Sequence, residues 1–64
     1  MRIRQNIERL RGERKLTAAT VAERSGIPYP SSWYRKLDAP RLFRAGELQE
    51  VAGVLGVPVI ELFR

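Results

Sequence analysis

The sequence predicts an all-α domain: five short helices packed into one compact body. Apolar residues recur at helical spacing in two stretches, Ile3-Ile7-Leu10 and Leu48-Val51-Ala52-Leu55. Glycines and prolines cut the rest into short segments, and no pair of strands flanks an Asn-Gly or Asp-Gly turn. With 64 residues, 44% of them hydrophobic, the chain can build a single domain over residues 1–64 and no more.

The first helix follows the Ile3, Ile7 and Leu10 face, and Gly12 is expected to end it in a left-handed conformation. Thr17 starts a second helix as its N-cap, with Leu16 placed to staple onto Val21. Ser25-Gly26 stops it. In Ile27-Pro28-Tyr29-Pro30 each proline pushes the residue before it towards extended backbone, so Ile27 and Tyr29 belong to a linker. A third helix begins at Pro30 or later, with Ser31 a candidate cap, and runs to Asp38 before Ala39-Pro40 ends it. Arg41-Leu42-Phe43-Arg44 reads as a basic loop whose Leu42 and Phe43 dip into the core. The fourth helix carries the Leu48-Val51-Ala52-Leu55 stripe to Gly56. Arg44 stands where a Ser or Thr cap belongs, so that helix is expected to start poorly capped. Pro58 suits the first position of a fifth helix that closes at Phe63.

Composition narrows the function. Cysteine and histidine are both absent, which excludes disulfides, zinc sites of the usual kind, and Ser–His or Cys–His nucleophiles. Seven scattered carboxylates and no glycine-rich phosphate loop leave no catalytic constellation. No enzyme, metal, cofactor or small-molecule ligand is therefore expected. No apolar run approaches the ~20 residues of a membrane span, and Met1-Arg2-Ile3-Arg4 lacks the apolar stretch of a secretory signal. An intracellular chain is expected. Twelve Lys+Arg against seven Asp+Glu give a net charge of +5, which points to a polyanionic partner. Residues 1–44 hold eleven basic and four acidic residues, net +7; residues 45–64 hold one and three, net −2. One face thus suits a polyanion and another something else.

Helices two and three have the mechanical logic of a helix-turn-helix. Ala22 is small enough for the next helix to pass close by, Gly26 supplies the positive φ of a sharp turn, and Ile27 plugs the angle between the helices. On Ile3-Ile7-Leu10-Arg11, Leu16-Thr17, Val21-Ala22-Glu23, Ser25-Gly26-Ile27-Pro28, Leu48-Ala52-Leu55-Gly56-Val57 and Glu61-Leu62-Phe63, the chain resembles the Cro and phage-repressor type of helix-turn-helix protein. The resemblance spans nearly the whole chain. It implies a lambda-repressor-like five-helix fold and a sequence-specific regulator of transcription that binds duplex DNA. It further implies a bacterial cytoplasmic location on the nucleoid, with phage origin included. Ala18 occupies the place where that family often has a glutamine touching the DNA backbone.

The third helix is the expected reader. Whether Trp33 and Leu37 or Tyr34 and Leu37 face inwards, Ser32 and Arg35 face outwards. Arg35 is the expected base contact, because Arg pairs bidentately with guanine; Ser31 and Ser32 reach base edges from the helix start. Tyr29, Lys36, Arg41 and Arg44 flank the helix as expected contacts to the DNA backbone, joined by Arg11 and Thr17 near the start of helix two. Arg2, Arg4, Arg9, Arg14 and Lys15 alternate with Glu8 and Glu13 and read mostly as a solvated face. Core or turn packing is the expected role of Trp33 and Tyr34, ahead of a stacking platform for single strands. Val57, Val59, Ile60, Leu62 and Phe63 exceed what one face of a two-turn helix can bury. Val59 and Ile60 are thus expected to meet a twin subunit, giving a homodimer on a palindromic operator.

Two other functions fit parts of the sequence. An excisionase-like architectural factor would suit Trp33-Tyr34-Arg35 but needs a β-hairpin where residues 41–55 show helical spacing. A protein-interaction domain of antitoxin or adaptor type would explain Ala18, against the +7 of residues 1–44.

Overall fold

A computed structural model describes residues 2–64; Met1, part of the expected domain and of the expected leaderless start, lies outside them. The described residues form four α-helices and two short 3-10 turns, with no strand. In chain order these are α1 (Ile3–Glu13), α2 (Ala18–Arg24), α3 (Ser31–Asp38), a 3-10 turn over Pro40–Leu42, α4 (Ala45–Leu55) and a 3-10 turn over Val59–Phe63. The expected all-α class is therefore present, and the segment read as a fifth helix is a 3-10 turn. None of the helices is long and apolar enough to cross a membrane.

Helical spacing sets what each element buries. Ile3, Ile7 and Leu10 of α1 meet Val21 and Ala22 of α2 and Val51, Ala52 and Leu55 of α4 in one core. The end of α1 differs from expectation. α1 runs through Gly12 to Glu13, and Lys15 takes the positive φ (56°) that had been expected of Gly12. The helix can continue because its last carbonyls find other donors: Leu16 N–H reaches Arg11 O at 2.9 Å, and Arg14 Nη1 reaches Leu10 O at 3.2 Å. α2 begins as predicted, with Thr17 Oγ1 accepting from Thr20 N–H at 3.1 Å. Gly26 (φ 73°) ends it in the left-handed turn, and Ile27 N–H closes onto Ala22 O at 2.9 Å.

The start of α3 corrects another expectation. Pro30, not Ser31, is the N-cap, and Ser31 is already the first helical residue. Trp33 and Tyr34 N–H donate to the carbonyls of Pro28 and Pro30, both at 3.0 Å, so the linker backbone satisfies the helix start without a serine side chain. Trp33 and Leu37 are buried and Tyr34 is 38% exposed, which fixes the rotation of α3. Tyr34 is not core. It tilts against Tyr29 with ring centroids 5.7 Å apart, both rings at the surface.

Beyond Asp38 the basic segment coils into the 3-10 turn, placing Arg41 on that turn rather than in an irregular loop. Phe43 is buried as predicted and meets Trp33 edge-on, centroids 6.3 Å apart; Leu42 is only half-buried. α4 is better started than its sequence implied. Glu47, three residues in, turns back to accept from Arg44 N–H at 2.9 Å. At the far end Gly56 (φ 72°) caps α4, and the closing 3-10 turn packs on α1 and α4. Buried Asn6 ties that turn down by donating to Leu62 O at 2.9 Å.

Two substitutions test this packing. Trp33→Ala should cost about 3–5 kcal/mol in urea unfolding, enough to leave so small a domain largely unfolded. Gly56→Ala should cost about 1–2 kcal/mol, because an L side chain at φ 72° clashes with its own backbone.

Candidate nucleic-acid interface

Once Trp33 and Leu37 are inside, α3 shows three strips to solvent. Arg35 lies opposite the core, Ser31 and Tyr34 flank it on the side of α1, and Ser32 and Lys36 flank it on the side of α4. The α4 side is concave. Ser32, Arg35, Lys36, Leu42 and Arg44 line a cleft of about 190 Å³ between α3, the 3-10 turn and the start of α4. Four residues expected at DNA, two at bases and two at the backbone, thus converge on one depression.

Their charges are not equally available. Among the described residues, Arg35, Arg41 and Arg44 enter no ion pair, while Lys36 is bound to Glu47 at 2.6 Å. That pair is partly buried, with side-chain exposures of 17% and 24%. Glu47 Oε1 serves both Lys36 Nζ and Arg44 N–H. The Arg44 amide first, and the Lys36 ammonium second, hold the Glu47 carboxyl below its ordinary value.

The other expected contacts lie apart from the cleft. Arg11 is turned into the fold, donating to Leu16 O at 3.2 Å and pairing with Glu8 at 2.7 Å. The Thr17 hydroxyl is engaged in capping α2 and donates to Thr20 Oγ1 at 2.9 Å. Ser31 and Arg41 are exposed. Tyr29 lies 3.4 Å, hydroxyl to hydroxyl, from Tyr34, and this hydrogen bond raises the Tyr34 phenol above its ordinary value. Of the cations read as a solvated face, Arg4 pairs with Asp38 across to α3, while Arg9 and Arg14 pair with Glu13. On the C-terminal 3-10 turn Ile60 is 54% exposed and Phe63 41%, whereas Val59, expected to be exposed, is half-buried against the core.

Two residues of this surface were missed from the sequence. Glu47 carried a partial signal, since acidic N3 is half of a capping box, but Arg at the cap position obscured it. Tyr34 carried none beyond a helical rotation that the spacing left open. Compared with known proteins, the chain matches no family model, no curated protein and no solved structure.

The Glu47 arrangement has a pH consequence. A carboxyl lowered by folding adds stability that is complete above its unfolded value and disappears as pH falls through the folded one. Acid titration should therefore destabilise the wild type more steeply than Glu47→Gln below the ordinary glutamate range, as read by thermal midpoints. Equal slopes would mean that the pair adds nothing to folding.

Proposed function

We propose that this protein is a sequence-specific duplex-DNA-binding regulator of the Cro and phage-repressor kind, its α2–turn–α3 segment acting as a helix-turn-helix within a lambda-repressor-like fold. The observation that carries the reading is the convergence of Ser32, Arg35, Lys36 and Arg44 on one cleft while Arg35 and Arg44 stay unpaired. Free guanidinium groups beside a projecting helix are suited to guanine edges and phosphates. In this reading α3 enters the major groove, Arg35 with Ser31 and Ser32 faces the bases, and Arg41, Arg44 and Tyr29 follow the backbone. Arg11 and Thr17 support the fold beside that surface.

The remaining features agree with a DNA partner. Net charge is +5, concentrated in residues 1–44. Exposed Ile60 and Phe63 offer apolar area to a second subunit, as a homodimer on a palindromic operator requires. A bacterial cytoplasmic setting, phage-encoded or not, follows from this reading. The excisionase-like alternative loses support because residues 41–55 contain a 3-10 turn and α4 rather than a hairpin. The protein-interaction alternative keeps one observation: Ala18, at the start of α2, is buried and presents nothing to a DNA backbone.

Filter binding with two variants separates these readings. Arg35→Ala should cost about 1–3 kcal/mol on the best duplex site and much less on random duplex. Arg44→Ala should weaken both kinds of binding alike and lower the slope of log K against log salt by about one unit. If neither variant changes binding while circular dichroism shows a folded domain, the protein-interaction reading replaces this one. Ile60→Asp should in turn abolish cooperative binding to a full site in ultracentrifugation; unchanged cooperativity would remove the C-terminal turn from the dimer.

A further inference from the structure

The cleft between α3 and α4 holds more positive charge than it offers. Its volume of about 190 Å³ far exceeds the ~10–15 Å³ that one water needs. Arg35 and Arg44 line it unpaired, and Lys36 lines it with its charge cancelled. The cancelling group is the Glu47 carboxylate, which takes one hydrogen bond from an ammonium and one from a backbone N–H at the start of α4. A phosphate oxygen is recognised by the same donor types. Glu47 thus supplies to Lys36 the charge and acceptor that a phosphate would otherwise supply.

We propose that this cleft is a seat for one phosphate group and that Glu47 is its internal counter-anion, competing with phosphate for Lys36. The proposal rests on the DNA-binding reading for its physiological ligand, a backbone phosphodiester. While Glu47 is charged and in place, attraction to phosphate comes from Arg35 and Arg44, and Lys36 is withheld. Freeing Lys36 adds one cation to the contact, which strengthens binding to any duplex regardless of sequence. Glu47 in this way limits non-specific affinity. The chemistry is shared by inorganic phosphate, which tests the seat without DNA.

Glu47→Gln is the informative variant, because its amide oxygen can still accept from Arg44 N–H while its charge is gone. Against random duplex, its slope of log K on log salt should steepen by about one unit. In an NMR titration with inorganic phosphate, the Ser32 and Arg44 amides should saturate at about three- to fivefold lower concentration than in the wild type. Glu50→Gln removes the same charge from an exposed position on α4 and should give less than half of either effect. Made in a Lys36→Met background, Glu47→Gln should give no gain. Should Glu47→Gln unfold, Glu47→Asp draws the carboxylate back from Lys36 and should shift both readings in the same direction. Equal effects at positions 47 and 50, or a gain that survives without Lys36, would overturn the proposal. Phosphate titration in the cleft with no duplex binding keeps the seat and removes DNA as its ligand. Duplex binding with no phosphate-dependent shift at Ser32 or Arg44 overturns the seat and leaves the DNA reading intact.

Discussion

Burial of Trp33 sets the rotation of α3, and the exposed surface of α3 follows from that rotation. The indole is inaccessible, edge-on to Phe43, in a domain with few other large side chains to fill its centre. With Leu37 one turn on, it leaves α3 a single way to sit, so Arg35 must lie on the solvent side of α3, where it lines the cleft. The same rotation brings Lys36 within reach of Glu47 and Asp38 within reach of Arg4, one ion pair on each flank. Exposed pairs such as Arg4–Asp38 contribute little to stability, and the more enclosed Lys36–Glu47 pair mainly fixes where a charge is held.

Charge pairing then divides the basic residues of the chain between two kinds of surface. Along α1 and at its C-cap most cations have a carboxylate beside them, Arg9 and Arg14 sharing Glu13 and Arg11 pairing with Glu8. Between α3 and α4, among the described residues, the arginines enter no ion pair and the lysine does. Net charge alone does not distinguish these regions, but a polyanion would, because an unpaired cation meets a phosphate without first giving up a carboxylate partner.

Much of the fold was legible because it depends on spacing along the chain. The stripes on α1 and α4, Thr17 as cap, Gly26 as left-handed stop and Phe43 as a buried anchor all follow from local chemistry. The misses have a common cause. Gly12, Ser31 and Arg44 were judged by what their own side chains do at a helix end, whereas other groups complete those ends: the Leu16 amide, the Pro28 and Pro30 carbonyls and the Glu47 carboxylate. The candidate site was legible in its cations and serines but not in Glu47, nor in its grouping. Arg35 projects in either rotation, while the pairing of Lys36 with Glu47 and the inward turn of Arg11 require tertiary proximity.

In the proposed function, α3 and the start of α4 form one continuous surface for duplex DNA, and the C-terminal turn has another task. A chemical-shift map on a duplex carrying a selected site tests this most directly, because every backbone amide outside the prolines reports at once. The account predicts saturable shifts concentrated at Ser31, Ser32, Arg35, Lys36, Arg41 and Arg44. Shifts confined to Ile60 and Phe63, or no saturable shift at any amide, would contradict it.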